Sequence, residues 1–140
     1  MKIISVQDGD TFTLEGEINV PQVIRIRLAD IDAPERGEAF WKQSKEILNN
    51  FLRWGGLSIE VPQRYDTPRD PYNRLIAYVW THDMLINLEM VSLGLATVFT
   101  PRGPAQYTDA IHQAQGLAQV LKRGVWSQPS HRLCTGTPRK

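Results

Sequence analysis

Apolar and polar positions alternate through the first third of the chain, with the period of two that is typical of a half-buried strand. In residues 23–29 the alternation is clear, since Ile24, Ile26 and Leu28 share one face of the predicted strand. Four further short segments have the composition of strands: 2–7, 11–14, 57–61 and 75–80. Glycine, aspartate and proline separate these segments, as expected of turns.

Three other stretches have the 3.6-residue spacing of amphipathic helices. The first ends at the pair Gly55-Gly56. The second is predicted to start with Asp83 as its N-cap and to end at Gly94. Five short strands with inserted and trailing helices predict an α+β domain, in the form of a small, partly open barrel with helices attached.

The third helix is predicted from about residue 106 to residue 123, with Gly124 as its stop. Its apolar face is predicted to consist of Ile111, Ala114, Leu117, Ala118 and Leu121. From about residue 129 onward no periodicity remains, so we expect one domain over 1–128 and a flexible tail over 129–140.

Length and composition narrow the class of protein. A chain of 140 residues suits a single domain, and 41% hydrophobic with 22% charged residues excludes a disordered or collagen-like chain. No apolar run approaches the roughly 20 residues that span a bilayer, so we expect no membrane segment. The formal net charge of +1 gives by itself no reason to expect a nucleic-acid binder.

The charge is nevertheless uneven along the chain. Residues 1–60 hold 7 basic and 10 acidic side chains, whereas residues 61–140 hold 9 and 5. This asymmetry permits an acidic site beside a basic surface, which the overall sum conceals.

The cysteine content and the first residues do not decide where in or outside the cell the protein is located. Cys134 is the single cysteine, so no intrachain disulfide and no thiolate metal site can form, and an inert free thiol is expected. The first residues lack the apolar stretch of a signal peptide. The localisation stays open between an intracellular protein and a secreted or periplasmic one whose export signal has been removed.

Polar side chains are densest in three segments, which are 8–10, 27–35 and 70–74. Carboxylates in turns suit hard cations such as Ca²⁺, but turn aspartates more often bond to nearby backbone N–H groups, so each segment alone favours a structural role. Together the three segments supply anionic metal ligands, a possible general base and two arginines for an anionic transition state. These are the components of metal-assisted phosphodiester cleavage.

Five separated motifs then resemble the thermonuclease family, that is, the staphylococcal nuclease-like domains. They are VQDGDT at 6–11, RLADIDAPE at 27–35, DPYNRL at 70–75, INLEMVSLGLA at 86–96 and GVW at 124–126. The resemblance covers roughly residues 3 to 128. It implies an OB-fold, a five-stranded β-barrel with three helices. It also implies Ca²⁺-dependent hydrolysis of DNA and RNA at the P–O5′ bond, which leaves 3′-phosphate ends. We expect a monomer that favours single-stranded or locally melted nucleic acid.

The resemblance also implies the metal ligands. Asp10 and Asp32 match the calcium carboxylates, and the carbonyl oxygen of Ala33 matches a further ligand. Family members often have threonine where Ala33 stands, but the proposed ligand is a main-chain atom. Asp8 matches the first acid of the family's Asp-Gly-Asp and is expected to be structural.

Four further positions carry the implied chemistry. Glu35 matches the residue that positions or deprotonates the attacking water, and Arg27 and Arg74 match the pair that binds the scissile phosphate. Tyr72 matches a position beside the nucleotide. Asn73 replaces a frequent glycine, and asparagine tolerates a positive φ better than most residues.

Two alternatives remain beside the nuclease. The first is a noncatalytic OB-fold module that binds nucleic acid or protein, and the second is a structural or signalling domain without nucleic acid. Degenerate modules usually lose a metal acid or an arginine, whereas this chain keeps all of them. That retention favours the enzyme.

Overall fold

The computed structural model, which describes residues 2–17 and 21–139, has one main sheet of five strands. In chain order these strands are β1 (Lys2–Asp8), β2 (Thr11–Glu17), β3 (Pro21–Leu28), β5 (Leu57–Glu60) and β6 (Leu75–Thr81). Their order in the sheet is β1-β2-β3-β6-β5, in which β3 and β6 are parallel and the other neighbouring pairs are antiparallel. No ladder joins β1 to β5 in the described part of the chain, so the barrel is partly open. The predicted α+β fold with an OB-type sheet is confirmed.

Three two-residue strands complete the sheets. β4 (Ile31–Asp32) pairs with β8 (Thr97–Val98), and β7 (Met84–Leu85) joins the main sheet by pairing with the end of β6. The pairing of β4 with β8 fixes the segment that follows β3, which carries several of the predicted site residues.

Helices cover the barrel. They are α1 (Trp41–Arg53), α2 (Ile86–Ser92), α3 (Thr108–Val120) and α4 (Arg132–Thr135), with a 3₁₀ helix at Gly124–Ser127. The core between helices and sheet is apolar and close to fully buried: Phe12, Ile26, Leu28, Leu48, Leu52, Tyr78, Ile86, Met90 and Ile111. Within the described residues, no helix is both long and apolar enough to cross a bilayer.

The N-cap prediction for α2 is wrong. The helix begins at Ile86 after Leu85, without a side-chain capping bond, and Asp83 lies in a tight turn instead. Thr81 and Met84 pair across this two-residue turn, in which His82 adopts a φ of 52°. A short hairpin between β6 and β7 therefore takes the residues that the apolar spacing assigned to the start of the helix.

The third helix is shorter and less fully packed than predicted. It ends at Val120, because Lys122 leaves the helical conformation with a φ of 54°. Ile111 and Ala118 are buried, but Leu117 and Leu121 are 51% and 52% exposed. The predicted apolar face was thus too wide.

Residues 129–139 lie against the domain. α4 is capped by His131, whose ring accepts a hydrogen bond from the N–H of Leu133, and both side chains are buried. The other ring nitrogen of His131 lies 2.9 Å from the carbonyl oxygen of Ala39, just before α1. Composition did not predict this helix, while the flexibility expected of the tail in solution stays a prediction.

Candidate active site

The turn between β1 and β2 carries the first acids of the site. Asp10 is fully buried, and its carboxylate accepts bonds from the Thr11 hydroxyl and the Ala33 N–H, both at 2.8 Å. A Cβ on Gly9 would lie 1.7 Å from Oγ of Ser44 on α1, so only glycine lets the helix pack this closely on the turn.

Asp8, at the start of the same turn, accepts a hydrogen bond from the indole N–H of Trp41 at 2.7 Å. This contact joins the turn to the first residue of α1, as the structural role expected for Asp8 requires.

The end of β3 brings the second acid beside the first. The Leu28 N–H donates to the carbonyl of Asp10, and Asp30 then turns the chain with a φ of 68°. β4 follows, where Asp32 pairs with Thr97. The left-handed turn at Asp30 therefore reverses the chain after β3 and brings Asp32 and Ala33 beside Asp10.

Asn87 anchors this part of the chain from α2. Its amide nitrogen donates to the carbonyls of Ala29 and Ala77, and its oxygen accepts the Val79 N–H at 2.9 Å. Asn87 is fully buried, and each of these three bonds is to a backbone group. It ties the end of β3 to β6 beneath the site.

Three oxygen atoms from these segments converge on one point. Oδ2 of Asp10, Oδ1 of Asp32 and the carbonyl oxygen of Ala33 lie 2.9, 2.8 and 2.9 Å from a single atom, Nη2 of Arg139. This positive nitrogen occupies the position where a hard cation would meet all three oxygens. The donor set contains two carboxylates and one backbone carbonyl, in keeping with the finding that the described residues contain no group of three or more His, Cys, Asp or Glu side chains placed to hold a metal ion.

The buried carboxylate of Asp10 stays ionised because positively charged groups lie beside it. Burial by itself would raise the pKa of Asp10, but the guanidinium groups of Arg27 and Arg139 and the bonds from Ala33 and Thr11 hold that pKa below its usual range. Two carboxylates held this close in a partly buried site need a cation between them.

Arg27 lies on β3, paired with Thr11 across the ladder to β2. Its Nη1 donates to the carbonyls of Leu28 and Ile31 at 2.8 and 2.7 Å, and its Nη2 lies 3.5 Å from Oδ2 of Asp10. The guanidinium is therefore fixed beside the acids before any substrate arrives.

Arg74 lines the same cleft from the position directly before β6, the parallel neighbour of β3. The preceding residue, Asn73, has a φ of 62°, the conformation that the sequence expected asparagine to tolerate. Asp70 accepts the backbone N–H groups of Tyr72 and Arg74 and holds Nε of Arg74 at 2.6 Å. Although burial opposes it, these bonds keep the pKa of Asp70 below its usual range.

Glu35 follows the buried Pro34 and is half-buried. Its carboxylate oxygens lie 3.8 Å from Arg132 and 3.8 Å from Arg139, the residue that also contacts Asp10 and Asp32. The carboxylate is thus in the same charged cluster as the two aspartates.

A cleft of about 840 Å³ opens beside these groups. Arg27, Asp32, Arg74 and Tyr72 line it. Tyr72 is 69% exposed, and the Arg74 guanidinium lies 5.2 Å from the centroid of its ring. Of the predicted site residues, Asp10, Asp32, Ala33 and Arg27 are therefore in direct contact, Glu35 joins them through two arginines, and Arg74 and Tyr72 lie on the cleft wall.

Sequence reasoning missed two arginines at the site. Arg132 and Arg139 come from the segment expected to be a free tail, and both contact the acids. It also missed Tyr65, which lines the cleft with Arg102 4.1 Å above its ring. The uneven charge was a signal for the arginines, since residues 97–140 carry 6 basic side chains and 1 acidic one.

Comparison with known proteins identifies the family of the chain. A family model described as staphylococcal nuclease homologue matches residues 25–128. A protein of Haemophilus influenzae named uncharacterized endonuclease is 34% identical over 128 residues, 90% of this chain and 65% of that protein. A thermonuclease of Staphylococcus intermedius is 32% identical over 127 residues, 88% of this chain and 73% of that protein.

A thermonuclease of Staphylococcus hyicus is 28% identical over 132 residues, 90% of this chain and 75% of that protein. The chain thus spans between 65% and 75% of the length of these three relatives. The family model covers well over half of the chain, and the fold is of the α+β, OB type that the five motifs implied. The chain belongs to the staphylococcal nuclease homologue family.

Proposed function

We propose that this chain is a calcium-dependent, sugar-nonspecific nuclease that hydrolyses DNA and RNA at the P–O5′ bond and leaves 3′-phosphate ends. One observation carries the proposal: oxygens of Asp10, Asp32 and Ala33 converge within 2.9 Å of one positive atom, beside a cleft whose lining includes Arg27 and Arg74. The names of the relatives, thermonuclease and endonuclease, support the same class of activity.

The donor set fits Ca²⁺. This ion prefers carboxylate and carbonyl oxygens and accepts irregular geometry, and the three convergent oxygens leave the remaining coordination positions to water and substrate. When bound, calcium would supply Lewis-acid polarisation of a phosphate oxygen and charge neutralisation. The buried position of Asp10 makes this carboxylate a rigid ligand, since it is held by Thr11 and Ala33 at the same time.

Arg27 and Arg74 bind the scissile phosphate in this proposal. A guanidinium fork contacts two phosphate oxygens at once, and its charge matches the additional negative charge of the transition state. Arg27 is fixed by the carbonyls of Leu28 and Ile31, and Arg74 is fixed through Nε by Asp70. Donors that are already oriented need little reorganisation when the reaction occurs.

Glu35 acts as the general base that takes a proton from the attacking water. Its carboxylate lies in the charged cluster but is half-exposed, so water and substrate have access to it. A carboxylate base is effective only within hydrogen-bond reach of the water, and the cation site beside it supplies a place for that water.

Tyr72 binds a nucleotide next to the cleaved phosphate. Its exposed ring lies on the cleft wall near Arg74, where a base can stack on it. Stacking requires an unpaired base, which is why single-stranded or locally melted nucleic acid is the favoured substrate. We propose that the protein acts on it as a monomer.

One observation supports the alternative of a noncatalytic module, namely that two arginines of the chain itself form ion pairs with Asp10 and Asp32. Digestion of single-stranded DNA in millimolar Ca²⁺, repeated with EDTA, distinguishes the two functions. The nuclease cleaves in Ca²⁺ and stops in EDTA, and its fragments carry 3′-phosphate ends. Absence of cleavage from neutral to alkaline pH would refute the enzyme.

A further inference from the structure

The strongest unexplained feature of the molecule is the segment from 131 to 139, which we call the C-terminal arm. Its Arg139 places Nη2 on all three oxygens of the cation site, and its Nε donates to Oδ1 of Asp32 at 3.0 Å. Asp8 lies near the same guanidinium, 3.9 Å from Nη1. One side chain of the arm therefore takes every protein ligand proposed for calcium.

A second arginine of the arm covers the neighbouring acids. Arg132 donates to Oδ2 of Asp32 at 3.1 Å and to both oxygens of Glu38 at 2.9 and 3.1 Å, and it lies 3.8 Å from Glu35. Although burial opposes it, the bonds from Arg132 hold the pKa of Glu38 below its usual range. The two arginines of the arm thus contact all five carboxylates of this cluster, which are Asp8, Asp10, Asp32, Glu35 and Glu38.

The base of the arm is attached firmly to the domain. Leu133 is buried, His131 contacts the Ala39 carbonyl, and the thiol of Cys134 donates to the carbonyl of Val125 at 3.1 Å. Gly136 then ends α4 in the left-handed conformation, with a φ of 71°. The distal part that follows Gly136 carries Arg139, which is more exposed than Arg132, at 31% against 11% of the side chain.

Arg139 and a cation cannot hold the same oxygens together. Calcium binds oxygen at about 2.3–2.6 Å, so an ion between Asp10 and Asp32 would overlap the position of Nη2. The ion would also repel the guanidinium that it displaces. Pro138 and Arg139 line the cleft as well, so movement of the distal arm opens the cleft and the cation site at once.

We propose that the C-terminal arm is an intramolecular competitor of the divalent cation, in which Arg139 occupies the site until calcium displaces it. This inference rests on the proposed function, because it takes the three oxygens as the calcium site. Calcium can bind only while the arm is undocked. The apparent calcium affinity therefore equals the affinity of the open site multiplied by the fraction of molecules in which the arm is undocked. An arm that is docked nine times in ten weakens the apparent affinity about tenfold.

Calcium titration of the full chain by calorimetry, at fixed salt, tests the competition. Arg139→Ala removes the competitor and is expected to bind Ca²⁺ about tenfold more tightly than the wild type. Arg53→Ala is the matched control, because it removes the same charge from the exposed end of α1, where Arg53 contacts Asn49. The calcium affinity of the control should lie within about twofold of the wild-type value, since salt screens long-range charge effects.

A second readout follows the arm itself. The Nε–H resonance of Arg139, assigned by its absence in Arg139→Ala, should move toward the position of a solvated arginine as Ca²⁺ is added. The Nε–H resonance of Arg53 should stay in place. This measurement does not depend on catalytic activity.

The outcomes separate the inference from the function on which it rests. Equal calcium affinity of the Arg139→Ala and Arg53→Ala variants, with an unmoved Arg139 resonance and normal DNA cleavage, would overturn the competition and leave the nuclease intact. Absence of both calcium binding and cleavage in all three proteins would overturn the proposed function together with the inference.

Discussion

The carboxylate of Asp10 accepts the main-chain N–H of Ala33 at 2.8 Å, although the two residues are 23 positions apart. This bond holds a proposed calcium carboxylate and a proposed calcium carbonyl in one rigid unit. Because Asp10 is buried and Ala33 follows β4 directly, the distance between the ligands is set by the barrel and not by mobile side chains.

Replacement of Asp10 by asparagine tests this unit. Asparagine keeps the size and can still accept the Ala33 N–H, but it removes the negative charge that binds the cation. We expect the calcium affinity to fall at least about tenfold, a loss typical of an altered metal site, while the far-ultraviolet circular dichroism is unchanged. Asp83→Asn, in the exposed β6–β7 turn, should bind Ca²⁺ as the wild type does. Unaltered calcium affinity in Asp10→Asn would remove this residue from the site.

Asp70 links stability to pH. Since its pKa is lowered in the folded state, it stabilises the protein above its unfolded pKa of about 3.9, and that contribution is lost as the pH falls through the folded pKa. Asp70→Asn should therefore lower the free energy of unfolding at pH 7 and flatten its decline below about pH 4. Urea unfolding at several pH values measures this, with the exposed Asp66→Asn as control. A decline as steep as that of the wild type would contradict the assignment.

Asn87 is predicted to contribute strongly to stability, because it is fully buried and makes three bonds to backbone groups. Asn87→Ala leaves the buried N–H of Val79 and the carbonyls of Ala29 and Ala77 without this partner. The expected loss in the free energy of unfolding is at least about 3 kcal/mol. Asn49→Ala, which removes one exposed contact with Arg53, should cost no more than about 0.5 kcal/mol. If Asn87→Ala lowered the free energy of unfolding as little as Asn49→Ala does, the stabilising role of Asn87 would be contradicted.

Gly94 and Gly124 form a close backbone contact between α2 and the 3₁₀ helix. A Cβ on Gly94 would lie 2.2 Å from the carbonyl oxygen of Arg123, and the φ of Gly94 is 72°. Gly94→Ala should lower the free energy of unfolding by about 2–4 kcal/mol, because both the backbone conformation and the contact become unfavourable.

Gly116 is the matched control for this substitution. It lies within α3, and an added Cβ would meet nothing within 4 Å. Gly116→Ala should therefore stabilise the protein by about 0.4–1 kcal/mol. Thermal unfolding of both variants measures the difference, and equal melting temperatures would contradict the close contact at Gly94.

The strands were the part of the fold that sequence predicted best. The alternation of Ile24, Ile26 and Leu28 fixed the buried face of β3, because side chains on a strand alternate strictly between two faces. Asp83 was misassigned for a physical reason, since a capping residue and a tight-turn residue have the same chemistry. Only the pairing of Thr81 with Met84 distinguishes the two.

The motifs named Asp10, Arg27, Asp32 and Ala33, which the structure brings into contact, but they did not predict that Arg139 lies between the acids. Arg132 and Arg139 contact acids about 100 positions away in the chain, and such charge contacts leave no periodic trace in a sequence. The excess of basic residues after position 97 was consistent with an acidic partner surface. It did not identify which arginines contact that surface.

The central claim is that the chain is a nuclease in which Glu35 acts as the general base. The initial rate of single-stranded DNA cleavage by Glu35→Gln at saturating Ca²⁺ tests it most directly, with Glu46→Gln as the control. Glu46 lies exposed on α1, so its variant makes the same chemical change away from the site. Loss of a general base typically lowers the rate by about 10²–10⁴-fold. We predict a loss of this size for Glu35→Gln, with unchanged thermal unfolding and a wild-type rate for Glu46→Gln. A wild-type cleavage rate in Glu35→Gln would contradict the proposed mechanism.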